Sequence, residues 1–323
     1  MFARRLAVVA LLAGCGGGAG GAGGTTWSDG TTFTEAVEIP AGETVTIAPG
    51  AKVTVAAKVA ITVRGTLKVA SATGAHAKLT GAWTGLVVEA GGTLAADGLD
   101  LDGAETALDV RSTTARWDHG VITNALFPID VKRGARLDTD HGKVVAAKSS
   151  SGVTGTLHAT YLDYDKIDTT GGFSLLDKSA VLELVDSTLH GTPGTVGADY
   201  ITTLGGAALR ISYSTINDSH CAIHLSGVDH FELDHVTFGA RTPTGERNLN
   251  AWGGMLYGFG PGASFIKDSN FVNSSQNFDQ QGTNGPLTIT NTYTTGANIQ
   301  NDVPWPLAGA EVAASPVLDA QPR

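Results

Sequence analysis

Cysteine is nearly absent from this 323-residue chain, which holds only Cys15 and Cys221. One intrachain disulfide is the most that can form, so the fold has to stand on its core. Charge is sparse as well: 16% of residues are charged, with 21 Lys and Arg against 31 Asp and Glu and a formal net charge of −10. The basic stripe that tracks phosphates is missing, which argues against nucleic acid as a partner. No apolar run approaches the ~20 residues of a membrane-spanning helix, and no long helical periodicity follows residue 15. What the chain has instead is 43 glycines and frequent threonine. That composition suits short strands and tight turns.

Arg4 and Arg5 precede a short apolar core, residues 6–12 (LAVVALL), and together they read as a secretion signal. The next residues, Leu12-Ala13-Gly14-Cys15, resemble the bacterial lipobox. That resemblance implies cleavage before Cys15, lipidation of its thiol and a membrane anchor in the cell envelope; an ordinary signal peptide with a chance cysteine is the other reading. Gly16 stands where Asp is the familiar retention signal, which points to the outer membrane. Cys221 would then be alone. Residues 16–24 (GGGAGGAGG) have no side chains to pack and read as a flexible tether. The expected organisation is a signal over 1–15, a tether and cap over 16–34, and one elongated domain over 35–323 that ends in a capping tail.

A repeat sets the expected fold. Apolar, any, apolar, a few polar residues, a small polar residue and a final apolar residue recur as VLELVDSTL (181–189), ALRISYSTI (208–216), HFELDHVTF (230–238) and SFIKDSNF (264–271). Weaker copies are TLAADGLDL (93–101), ARWDHGVI (115–122), RLDTDHGKV (136–144) and TLHATYLDY (156–164), with PLTITNTY (286–293) at the end. The closing apolar residues are Leu101, Ile122, Val144, Tyr164, Leu189, Ile216, Phe238, Phe271 and Tyr293, mostly 20 to 27 residues apart. Val45 to Leu67, Ile47 to Val69 and Leu79 to Leu101 each span 22.

A register near 22 with alternating apolar residues predicts coils of three short strands, each paired with its equivalent in the next coil around one continuous core. A propeller blade needs ~40 residues, and leucine-rich repeats need a different consensus. The expectation is an all-β solenoid of about ten or eleven coils, a rod on the order of 50 Å long. The repeat, the opening IPAGETVTIAPGAKVTV (39–55) and the closing Ser315-Pro316-Val317-Leu318-Asp319-Ala320 resemble the right-handed parallel β-helix proteins of the pectate-lyase-like superfamily, although Gln321 stands where their closing motif has Gly.

In the polysaccharide-splitting members of that superfamily the working face is the first strand of the coil. Spacing places that strand at Leu86–Glu89, Leu108–Arg111 and Ile129–Lys132, with outward columns Val87, Asp109, Asp130 and Glu89, Arg111, Lys132. Two readings stand. Asp109 and Asp130, ~4.8 Å apart, could share a Ca²⁺ ion while Arg111 or Lys132 acts as base in a β-elimination on a uronic acid. Alternatively the charges neutralise one another across strands. The polygalacturonase segments NTD, GHG and RIK are missing, so paired-carboxylate hydrolysis has no bearer.

Asp118-His119 and Asp140-His141 occupy equivalent turns 22 residues apart, and Asp234-His235 repeats them later. They read either as metal ligands or as a turn ladder in which Asx and His side chains cap backbone groups and stack. The stretch 231–238 partly resembles the "vWIDHxxFS" segment of one pectate lyase family, with Glu232 in place of Trp. His220, His224, His230 and His235 crowd one coil, with His224 outward and the others at turns. The stretch 239–263 reads as an insert carrying Arg241, Arg247, Trp252 and Tyr257, residue types that suit sugar rings and carboxylates; an ordinary capping loop is the bland alternative. The leading expectation is a non-catalytic, surface-anchored module that binds a polysaccharide or another envelope protein. A Ca²⁺-dependent uronate lyase comes second and a structural spacer third.

Overall fold

The computed structural model describes residues 24–70, 74–166, 171–191, 200–217, 221–239, 247–252, 260–271, 276–281 and 285–294, together with 313 and 317. Among the described residues the chain is all-β, without a helix, and its strands stack as a solenoid of about ten turns. The described strands form three parallel sheets, and the strand counts are of those residues. The first sheet has eleven strands, from Val37–Ile39 to Gln276–Gln281. The second, from Thr25–Trp27 to Leu287–Thr290, and the third, from Thr32–Phe33 to Tyr293–Thr294, have twelve each. Among the described residues no helix is long and apolar enough to cross a membrane.

Register follows the repeat. Leu101 pairs with Ile122, Ile122 with Val144, Val144 with Tyr164, Tyr164 with Leu189, Leu189 with Ile216, Ile216 with Phe238 and Phe238 with Phe271. Those side chains form one buried column of the third sheet, and the Phe238 and Phe271 rings stack with centroids 4.6 Å apart. Alternation does the rest: in Val181–Val185 the residues Leu182 and Leu184 are buried while Val181, Glu183 and Val185 face outward. Burying each such Leu contributes roughly 1.5–3 kcal/mol.

Three expectations need correction. The solenoid starts at Thr25, not at 35, because Thr25–Trp27 and Thr32–Phe33 already pair with Thr44–Ile47 and Lys52–Val55. The stretch 239–263 is not one insert. Arg247–Trp252 crosses it as a regular first-sheet strand between Cys221–Leu225 and Gln276–Gln281, because Leu249 alternates in phase with Ile223 and Phe278. Tyr293 does not close the third-sheet column: it pairs with Asn270, so Thr294 lies opposite Phe271. The final pattern is one residue shorter between the turn and its apolar end, and backbone pairing overrides the aromatic match.

The turn from the second sheet to the third is nearly invariant from residue 98 onward. Its first residue is left-handed in every coil: Gly98, His119, His141, Tyr161, Asp186, Tyr213, His235, Asp268 and Asn291 all have φ between 44° and 72°. Asn, Asp and His tolerate that region best among L-residues. From Gly98 to Asp268 each backbone N–H there donates to the last carbonyl of the next coil's second-sheet strand, as His119 does to Asp140, His141 to Thr160, and Tyr213 to Asp234. The tail returns to the body at two described points: Ala313 N–H donates to Thr292 O, and the buried Asn270 amide pairs with both the N–H and the C=O of Val317.

Candidate functional site

The first-sheet face assembles as the spacing implied. Asp109 lies between Val87 and Asp130, directly in register with each. Its chemistry is set by ion pairing. Arg111 donates to both oxygens of Asp109, at 3.3 and 2.7 Å, and to Glu89 Oε1 at 3.1 Å. The hydrogen bond to Asp109 outweighs burial and holds the guanidinium above its ordinary value. Lys132 donates to Asp130. Each proposed base therefore sits on a carboxylate proposed as a calcium ligand.

Beyond Asp130 the column becomes small and polar: Gly152, Ser174, Thr202, then His224 and Asn250. A Cβ on Gly152 would come 3.2 Å from Asp130 Oδ1, so glycine there keeps space beside that carboxylate. His224 faces outward and is partly exposed. Leu176 and Leu204 follow first-sheet strands in adjacent coils and are among the most exposed large apolar side chains, at 48% and 65%. Arg247 and Trp252 open and close their strand. Arg241, Tyr257, His220 and Cys15 lie outside the described residues.

The turn ladder brings the aspartates and histidines together. His119 Nδ1 lies 2.9 Å from Asp97 Oδ1, and His141 Nδ1 lies 2.9 Å from Asp140 Oδ1. The two imidazoles stack with centroids 5.1 Å apart and planes 15° off parallel, and Tyr161 continues the stack 4.5 Å beyond His141. Ligating atoms of His119, Asp140 and His141 all fall within 4.8 Å of one another. Asp118 takes another part: it accepts from Arg116 and, at 3.0 Å, from the Asp140 backbone N–H. Burial raises the Asp140 carboxyl, but hydrogen bonds from Thr160 and His141 and the nearby His119 hold it below the usual carboxylate range.

The later copy pairs Asp234 and His235 with Asp268, and Tyr213 stacks on His235 at 4.6 Å. His230 is not at a turn; it opens the strand His230–Asp234, with Glu232 Oε1 3.4 Å from its Nε2.

The chain matches no family model, no curated protein and no solved structure. What its surfaces can do must be read from this geometry.

Two features escaped the sequence reading. One is an alternating-charge column along the outer second sheet: Arg116, Asp138, His158, Glu183, Arg210 and Glu232 are successive register partners. His158 Nδ1 is 3.3 Å from Asp138, and Arg210 Nε is 3.2 Å from Glu232. The signal was present as one charged residue per coil in a fixed phase. The other is an open hollow of about 340 Å³ at the turn from the third sheet to the first, lined by Lys58, Trp83, Glu105, Asn124, Leu126 and Lys148 among others. These residues share no motif, only a common corner.

Proposed function

We propose that the chain is a non-catalytic solenoid that binds carbohydrate or another envelope partner along its first sheet, held at the cell envelope through a lipid on Cys15. The observation that carries this reading is the division of that sheet. In the coils of Asp109 and Asp130 every charge with lyase potential is matched by a neighbour. A base bonded to a carboxylate must break that contact before it can take a substrate proton. In the later coils the face offers Ser174, Thr202 and His224 beside exposed Leu176 and Leu204. Small hydroxyls, an imidazole and apolar flanks suit the mixed polar and apolar surface of a sugar chain. The lipobox-like Leu12–Cys15 and the glycine tether support the anchor.

The test combines turnover and binding. The protein is incubated with uronic-acid polymers, with and without Ca²⁺, while the absorbance of unsaturated products is followed; the same sample is applied to a glycan array. The expected outcome is no product and selective retention of glycans, lost in a His224→Ala, Thr202→Val variant. Sustained product formation abolished by Asp130→Ala would establish the lyase instead, and neither product nor retention would leave a structural spacer. Cys15→Ala is expected to move the protein from the membrane fraction to the soluble one.

A further inference from the structure

We infer that the stacked pair His119 and His141, with Asp140, forms a binding site for one divalent transition-metal ion of the zinc class. This inference is independent of the glycan-binding reading. The backbone comes first: both histidines occupy the left-handed position of consecutive turns, and their N–H groups are fixed to the next coil. The rings are thereby held one above the other.

Carboxylates then orient them. Asp97 and Asp140 each hold an Nδ1 at 2.9 Å. On His119, a neutral imidazole that donates from Nδ1 to Asp97 presents Nε2 as a lone-pair acceptor, and the carboxylate on the far nitrogen raises its basicity. Asp140 is the third ligand and the one oxygen donor of the set; with its Oδ1 2.9 Å from His141 Nδ1, the ion would take the place of the proton between those two atoms. Two imidazoles and a carboxylate match zinc, copper or nickel better than calcium or magnesium, which prefer oxygen ligands alone. With metal–nitrogen bonds near 2.1 Å, the nitrogens must approach to about 4 Å or less. The ligating atoms already lie within 4.8 Å of one another, and both rings are half exposed, so small side-chain rotations close the remaining gap.

The second cluster on the same ladder sharpens the assignment. Asp234, His235 and Asp268 also come within 4.8 Å. There, however, Lys267 Nζ lies 3.3 Å from Asp268 and 3.9 Å from Asp234, and Asn291 donates to Asp268 at 2.6 Å. A resident ammonium already fills the place of a cation. Around His119 and His141, Arg116 is bonded to Asp118 instead. The first cluster should take a metal and the second should not.

The experiment is equilibrium dialysis of the full chain, stripped with chelator, against ZnCl₂. The variants are His119→Asn, His141→Asn and His235→Asn, because asparagine tolerates the left-handed turn and keeps the fold available, as checked by circular dichroism. The expected result is one zinc per chain, affinity lowered at least ~10-fold by either of the first two substitutions and unchanged by the third. Three results would overturn the inference: no zinc bound by the unaltered chain at millimolar metal, unchanged binding in the His119→Asn, His141→Asn double variant, or an equal loss in His235→Asn.

Discussion

The same turn is filled in two different ways in the two halves of the rod. Around His119 and His141 the residue after the left-handed position is glycine; around Asp186, Tyr213 and Asp268 it is serine. In the first region a Cβ on Gly120 would sit 2.3 Å from Trp117 Nε1, and one on Gly142 would sit 2.7 Å from Trp117 Cζ3. The indole lies fully buried beneath both turns and donates to Leu99 O at 2.8 Å. In the second region Ser187, Ser214 and Ser269 are fully buried, and each hydroxyl donates to the carbonyl two residues back while accepting an N–H from the coil before. One backbone geometry accepts a large aromatic filler with glycine above it, small hydroxyls, or a buried aliphatic side chain such as Leu99, Leu162 or Val236. What the solenoid requires at this corner is filled volume and paired polar groups, and the residue type follows from which solution the coil adopts.

Removing Trp117 should produce the largest effect. Trp117→Ala leaves a cavity under two turns and deprives Leu99 O of its donor, so a loss of about 3–5 kcal/mol is expected, measured by denaturant unfolding. A loss below ~1 kcal/mol would mean that the glycine turns stand without their filler. On the serine side, Ser214→Ala strands the buried Ser187 N–H that it accepts. The expected cost is about 1–3 kcal/mol, together with faster hydrogen exchange at Ser187. If exchange at Ser187 is unchanged, the serine ladder is ornamental and the two regions are equivalent.

The coils themselves were legible because period-two alternation repeats every 22 residues or so, and a core residue such as Leu189 announces itself by phase. The WDHG and TDHG segments marked the glycine turns, and the small polar residue of STL, STI and SNF marked the serine turns. The pairing of charges was legible at Glu89 and Arg111, whose registers are close and regular. It was not legible along Arg116, Asp138, His158 and Glu183, because each residue reads locally as an isolated surface charge and only stacking makes a column of them. Tyr161 and Tyr213 were missed for a related reason: tyrosine is not expected at positive φ, yet stacking on His141 and His235 offsets that strain. The strand Arg247–Trp252 was hidden by the chain's extra residues on either side of it, which break the count that phase depends on.

The smallest expected effect has the opposite sign and lies within the glycine region. Thr139 faces inward in the coil after Trp117, where it is buried, and its hydroxyl has no hydrogen-bond partner among the described residues. It lies beside the Gly142 turn: a Cβ on that glycine would come 2.7 Å from Thr139 Oγ1. Thr139 thus stands in the aromatic-filled region with a buried unpaired hydroxyl, as Thr215 does beside Ser214 in the serine region. Thr139→Val keeps the β-branched shape and removes the orphaned group, so stability should rise by about 1 kcal/mol, read as a higher denaturant midpoint at constant m-value. A fall instead would show that this hydroxyl has found a partner, and the glycine region would then be hydrogen-bonded from within as the serine region is.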